Sequence, residues 1–154
     1  MKPAGLRKLS KRQIAEKQIY RAILVLKEQD DPVSALTLAG ASEEILGNML
    51  RDKGLKCAFE AKVEFDKELW AFAKKRAGET GYSLDVPEEK EIKNNSNRIR
   101  NSLKHKMDGR PVETDYNYQV EEMIARAISN YRVLYSGKAP SQKRGARWFE
   151  DYVQ

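Results

Sequence analysis

Apolar residues recur every three or four positions in five successive segments of the chain, and this spacing constrains the fold more than any other feature. Residues at that spacing line one face of an α-helix, whereas a half-buried strand alternates apolar and polar positions. The first segment begins near Ser10 and ends near Gln29. Its apolar residues are Ile14, Ile19, Ala22, Ile23 and Leu26. Because no stretch of useful length alternates, the sequence predicts an all-α fold.

Capping and stop signals separate five predicted helices. Asp31 can accept hydrogen bonds from free amides at the start of the second helix, and Pro32 has no amide to lose there. The later helices are predicted to begin at Pro32, Ala58, Glu88 and Asn117 and to end near Lys53, Ala77, Met107 and Tyr135. Gly40 and Ser42 indicate either a break or a close helix contact in the second helix, or one helix that tolerates a glycine. Short connections and one apolar stripe per helix favour an antiparallel bundle, with Trp70 and Phe72 expected in its core.

The chain is predicted to form one domain with a short extension at each end. Residues 1–9 carry no helical periodicity and are expected to be a flexible basic arm. Residues 10–137 form the helical bundle domain in this interpretation. Residues 138–154 are a linker followed by a short amphipathic tail around Trp148.

Composition narrows the class of protein and the compartment. The 154 residues carry a net charge of +6, which favours encounters with polyanions such as nucleic acid, although many basic proteins bind none. Cys57 is the only cysteine, so an intramolecular disulfide and a cysteine-based zinc site are excluded, and it is expected to be a small buried hydrophobe. The apolar run Ala22–Leu26 is too short for a signal segment or a membrane span. We expect a cytoplasmic protein without a membrane partner.

The segment Arg100-Asn101-Ser102-Leu103-Lys104-His105 contains the only histidine of the chain. Each residue of an ideal helix turns by about 100°, so the apolar residues of the fourth helix share one narrow face. These residues are Ile92, Ile99, Leu103 and Met107. The opposite face carries Asn94, Arg98, Asn101 and His105, and Arg100 lies at the boundary between the faces. A solvated helix face without any function would have the same pattern.

The polar residues of this segment suit chemistry on a phosphodiester. His105 has a reference pKa near neutrality and can move a proton, and Asn101 precedes it by one helical turn. Arg100 and its neighbours add permanent positive charge that can stabilise a more negative transition state. The candidate catalytic residues are therefore Arg100, Asn101 and His105, and the candidate nucleic-acid contacts are Arg98, Lys104 and Lys106. No metal site and no cofactor are predicted, because the sequence has neither a ligand cluster nor a glycine-rich phosphate loop.

An Arg-Asn-x-x-x-His motif on a helix of a small helical bundle resembles the signature of the HEPN (higher eukaryote and prokaryote nucleotide-binding) superfamily. Arg100, Asn101 and His105 match its arginine, polar neighbour and histidine, whereas Met107 stands where the family often has an aromatic residue. The resemblance implies a metal-independent ribonuclease whose site is completed across a homodimer. It also implies that His105 transfers protons, Arg100 steadies the phosphate, Asn101 orients the site, and cleavage leaves a cyclic phosphate.

A second resemblance points to a set of uncharacterised bacterial proteins. It rests on Asp31-Pro32-Val33-Ser34, Thr37-Leu38-Ala39 and Asn101-x-x-Lys104-His105. Many of those proteins keep the asparagine, lysine and histidine without the arginine, and then Arg100 would be incidental.

The predicted function is an endoribonuclease acting on RNA or tRNA, of toxin type and held in check by an inhibitory protein. The alternative is a non-catalytic helical module that docks nucleic acid or a protein, and a third option is an oligomeric scaffold.

Overall fold

The computed structural model describes residues 8–104 and 111–135. Within these residues the chain forms five helices and no strand, so the predicted all-α bundle is confirmed. The helices are α1 (Lys11–Gln29), α2 (Pro32–Arg51), α3 (Ala58–Glu79), α4 (Glu89–Lys104) and α5 (Tyr116–Leu134). Most of the predicted arm and all of the predicted linker and tail lie outside the described residues. No described helix combines the length and the apolar character that a membrane span requires.

Local capping explains where the first two helices begin. The Ser10 hydroxyl accepts a hydrogen bond from the Gln13 amide at 3.1 Å, and the Gln13 side chain accepts one from the Ser10 amide at 2.9 Å. This reciprocal arrangement satisfies two amides that the first helical turn leaves free. The Asp31 carboxylate accepts a hydrogen bond from the Ser34 amide at 3.0 Å, with Pro32 at the first helical position. The cap predicted for α2 is therefore confirmed.

The hydrophobic core lies mainly between α1, α2 and α5. α2 packs against both of the other helices, and its small residues allow close approach. The largest fully buried apolar side chains are Ile19, Ile23, Leu36, Leu46, Leu50, Val120, Ile124 and Tyr131. α3 and α4 come between α2 and α5 in the sequence, yet α3 contributes little to this core.

The exposure of residues on α3 shows that one sequence prediction was wrong. Phe72, which was expected in the core, is 62% exposed, and Phe65 and Leu69 lie exposed on the same stripe. Trp70 is only half-buried, and Val63 is the one buried residue of α3. Because 100° per residue places Val63 opposite this stripe, α3 has apolar residues on two faces, and only one of them meets the rest of the protein.

The helical phase predicted for α4 is confirmed over the described residues. Ile92 and Ile99 are buried, and Leu103 is partly buried against the core. Arg98 and Asn101 are exposed on the other side. α4 is therefore an amphipathic helix whose exposed face carries Arg98 and Asn101.

Candidate functional site

Arg100 lies at the boundary between the two faces of α4, and its side chain packs against α2. Its side chain is only 12% exposed; Nη1 is 3.6 Å from Oε2 of Glu43, and Nη2 pairs with Glu44. Gly40 makes this position possible, since a Cβ atom there would lie 2.9 Å from Nε of Arg100. α2 is one continuous helix through Gly40, so close helix contact explains this glycine and a break is wrong.

Glu43 is a buried acid that joins two arginines. Its Oε1 accepts a hydrogen bond from Nη2 of Arg126 at 2.9 Å, while Oε2 faces Arg100. The Arg126 guanidinium lies 5.0 Å from the centre of the Phe59 ring and also reaches Oδ1 of Asn97 at 3.4 Å. A buried carboxylate is tolerated when charge and hydrogen bonds compensate its lost hydration. Glu43 therefore ties α4 and α5 to α2.

A second ion pair lies at the edge of this network. Nε of Arg51 donates to Glu60 at 2.7 Å, and Nη1 donates to Oδ1 of Asn48 at 2.7 Å. The hydrogen bond from Arg51 lowers the pKa of Glu60, and the same contact raises the pKa of Arg51. Cys57 is buried beside them, as predicted, with Sγ 3.2 Å from Nη2 of Arg51. These contacts anchor the start of α3 to the end of α2.

The two networks line one polar cleft of about 290 Å³. Its lining residues are Glu43, Glu44, Asn48, Arg51, Phe59, Asn97, Arg100, Asn101 and Arg126. Three guanidinium groups are thus opposed by two carboxylates in the lining and by a third, Glu60, beside Arg51. Since the charges nearly balance, the cleft offers directed amide and guanidinium donors rather than a broad positive field.

The described residues bring together only part of the predicted catalytic set. Arg100 and Asn101 line the same cleft, and Arg98 is exposed nearby on α4. Lys104 is the last described residue of α4, and only its backbone is described. His105 and Lys106 lie outside the described residues, as does Met107. No group of three or more potential metal ligands occurs in the described part of the chain.

Sequence reasoning missed the acidic partners of the motif. Glu43 and Glu44 lie more than fifty residues before Arg100, and Arg126 lies on another helix. One signal was available: two adjacent acids interrupt a helix that is otherwise apolar and rich in small residues. Such acids inside a predicted core helix need basic partners. The sequence does not say which of the many basic residues supply them.

Comparisons with protein-family models, curated proteins and solved structures found no match. The chemistry of the two faces of α4 is therefore the basis for interpreting the site.

Proposed function

We propose that the chain is a metal-independent endoribonuclease acting on RNA or tRNA. The observation that carries this proposal is the cleft shared by Arg100 and Asn101, in which two carboxylates fix Arg100 against α2. A guanidinium held in this way fixes the position and orientation of α4 relative to α2. In this proposal Arg100 acts as a positioning residue and does not steady the phosphate as the resemblance implies, and Asn101 and His105 are the groups that meet the substrate.

The proposed reaction is transfer of the phosphodiester to the neighbouring ribose hydroxyl. The 2′-oxygen attacks phosphorus as the 2′-hydroxyl loses its proton, and the bond from phosphorus to the 5′-oxygen breaks. The 5′-oxygen takes up a proton, which leaves a 2′,3′-cyclic phosphate and a 5′-hydroxyl. His105 supplies one of these proton transfers, because an imidazole titrates near neutral pH. Asn101 hydrogen-bonds the phosphate or the ribose.

The resemblance to the HEPN superfamily adds two parts to this proposal. The site is completed by a second copy of the chain in a homodimer, and an inhibitory protein restrains the activity in the cell. Arg98, Lys104 and Lys106 contact the RNA backbone and are not part of the reaction. Reversing the charge of Arg98 should weaken RNA binding and reduce its salt dependence by about one counterion.

The test is cleavage of end-labelled tRNA and total RNA by the full chain in the presence of a metal chelator. The wild type should produce cyclic phosphate ends, and His105→Ala should abolish them while RNA binding persists. Asn101→Ala should reduce the rate by about tenfold to a hundredfold, the cost of one or two transition-state hydrogen bonds. Asn117→Ala is the matched control, since Asn117 is an exposed asparagine on α5 that does not line the cleft. A wild type that is inert on both RNA pools would contradict the proposal.

One observation favours a second candidate, a non-catalytic binding module. Both terminal nitrogens of Arg100 already face carboxylates, so the arginine that the HEPN resemblance assigns to the phosphate has fewer donors left for it. Under this alternative, RNA binding depends on exposed basic residues such as Arg98 and survives His105→Ala unchanged. Binding without cleavage by the wild type would favour the module over the enzyme.

A further inference from the structure

A second polar cleft, of about 280 Å³, lies between α3, α4 and α5. It shares α4 with the first cleft: Asn95 lines the second and Asn97 lines the first. Both clefts are therefore bordered by α4, and at about 100° per residue Asn95 and Asn97 lie on opposite sides of that helix. Nothing in the chemistry proposed above uses the second cleft.

Two aromatic side chains from different helices line this cleft. Trp70 comes from α3 and is half-buried, and Tyr118 comes from α5 and is exposed. Exposed and half-buried aromatic rings in a polar cleft are platforms on which flat rings stack. Stacking of a base on such a ring tolerates any base, because every base has a π face.

An acid in the same cleft has an acceptor atom without a donor. Oε1 of Glu122 is buried and makes no hydrogen bond. The nearest cation, Nζ of Lys62, is 4.0 Å from it and instead approaches Oδ2 of Asp66 at 3.0 Å. Asp66 also accepts a hydrogen bond from the Ser96 hydroxyl at 3.3 Å. Asp66 is therefore satisfied within the protein, whereas the Glu122 carboxylate, whose side chain is 24% exposed, keeps acceptor capacity for a ligand.

We propose that this cleft binds an unpaired nucleobase with an exocyclic amine, stacked on Trp70 and Tyr118 and donating to Glu122. Adenine, cytosine and guanine carry such an amine. Uracil has no exocyclic amine and offers a single ring N–H donor between two carbonyl groups, which a carboxylate repels. This inference rests on the proposed function in taking single-stranded RNA as the ligand, and it adds a base preference to RNA binding.

The test is titration of the full chain with AMP, CMP, GMP and UMP. Trp148→Phe leaves Trp70 as the only tryptophan, so its fluorescence reports the cleft directly. At least one of the three amine-bearing nucleotides should bind about tenfold or more tightly than UMP. Glu122→Gln should remove that difference, because an amide cannot reproduce a charged acceptor. Glu121→Gln is the matched control, since Glu121 is the exposed neighbour on α5 and does not line the cleft.

A second variant keeps the test decisive if Glu122→Gln fails to fold. Tyr118 is 59% exposed, so Tyr118→Ala should fold normally and weaken the binding of all four nucleotides by about tenfold.

Equal binding of UMP and the other three, or an effect of Glu121→Gln equal to that of Glu122→Gln, would overturn the inference. If the wild type shows the base preference but cleaves no RNA, the cleft stands and the proposed function fails. If it cleaves RNA but binds none of the four nucleotides, the function stands and the cleft fails.

Discussion

α2 and α3 are helices of nearly equal length, 20 and 22 residues, that have very different places in the protein. α2 is covered on two sides, by α1 and α5, and buries residues along its whole length. α3 buries only Val63 and leaves a stripe of Phe65, Leu69 and Phe72 exposed. Both helices contain many apolar residues, so apolar content does not decide burial. The charged residues differ more: α2 carries three and α3 carries ten, and a helix with few charges can be covered on two sides.

The largest expected difference between the two helices is the cost of removing a leucine. Leu46 of α2 is fully buried, and Leu46→Ala should lower the free energy of unfolding by about 3 to 5 kcal/mol, because it leaves a cavity. Leu69 of α3 is 54% exposed, and Leu69→Ala should cost less than about 1 kcal/mol. Denaturant unfolding of both variants measures the contrast. Equal costs would mean that the exposed stripe of α3 is covered in solution.

An acid of each helix gives the next contrast. Glu43→Gln should cost about 3 kcal/mol, since it leaves two nearly buried arginines without their shared carboxylate. Glu64 of α3 forms an exposed pair with Lys56, and Glu64→Gln should cost less than about 1 kcal/mol. Equilibrium unfolding near pH 7 is again the measurement. A neutral Glu43→Gln would remove the argument that Glu43 holds α4 and α5 to α2.

The core around α2 should lose stability at alkaline pH. Burial, followed by the hydrogen bond to Glu16, raises the pKa of Tyr131 from 10.0 to about 12 in the folded protein. The folded state thus keeps a proton that the unfolded state loses, and the stabilisation is complete below pH 10 and falls as pH rises towards about 12. Since a shift of one pKa unit corresponds to about 1.4 kcal/mol, the free energy of unfolding should fall by about 2 to 3 kcal/mol over this range. In Tyr131→Phe this part of the pH dependence should disappear; if it remains, another group causes it.

The contact between α3 and α4 should lose stability at acidic pH, and this loss is the smallest of the expected effects. Hydrogen bonds from Lys67 and then Lys93 lower the pKa of Glu89 from 4.5 to about 2. The stabilisation from this exposed cluster is present above about pH 4.5 and is lost as pH falls towards about 2. Salt should weaken it, because exposed ion pairs are screened. Comparison of acid unfolding midpoints for the wild type and Glu89→Gln at low and high salt measures it; a difference that does not depend on salt would point to another cause.

Local signals account for what the sequence predicted well. The caps at Ser10 and Asp31 involve residues three positions apart, so the starts of α1 and α2 could be predicted from a few letters. The buried face of α4 followed from helical phase alone. Phe72 was assigned to the wrong environment because α3 has two apolar faces, and periodicity cannot say which one meets a neighbour.

The candidate site depended on contacts that are distant in sequence. The motif itself could be found by inspection, and its position at the boundary of two faces was a correct prediction for Arg100. Its partners on α2, and the glycine that makes room for it, could not be predicted because they depend on the packing of α2 against α4. The second cleft requires three helices at once, so no pattern within one helix indicates it.

The order of the helices along the chain also bears on how the protein folds. α1 and α2 are joined by two residues and can meet quickly, but α5 reaches them only after the chain closes a loop that includes α3 and α4. Closing a long loop has an entropic cost before any contact compensates for it, and it slows folding. We expect the arrival of α5 to limit the folding rate. Ile124→Ala should then slow folding, whereas Val63→Ala should mainly accelerate unfolding, and stopped-flow kinetics can separate the two.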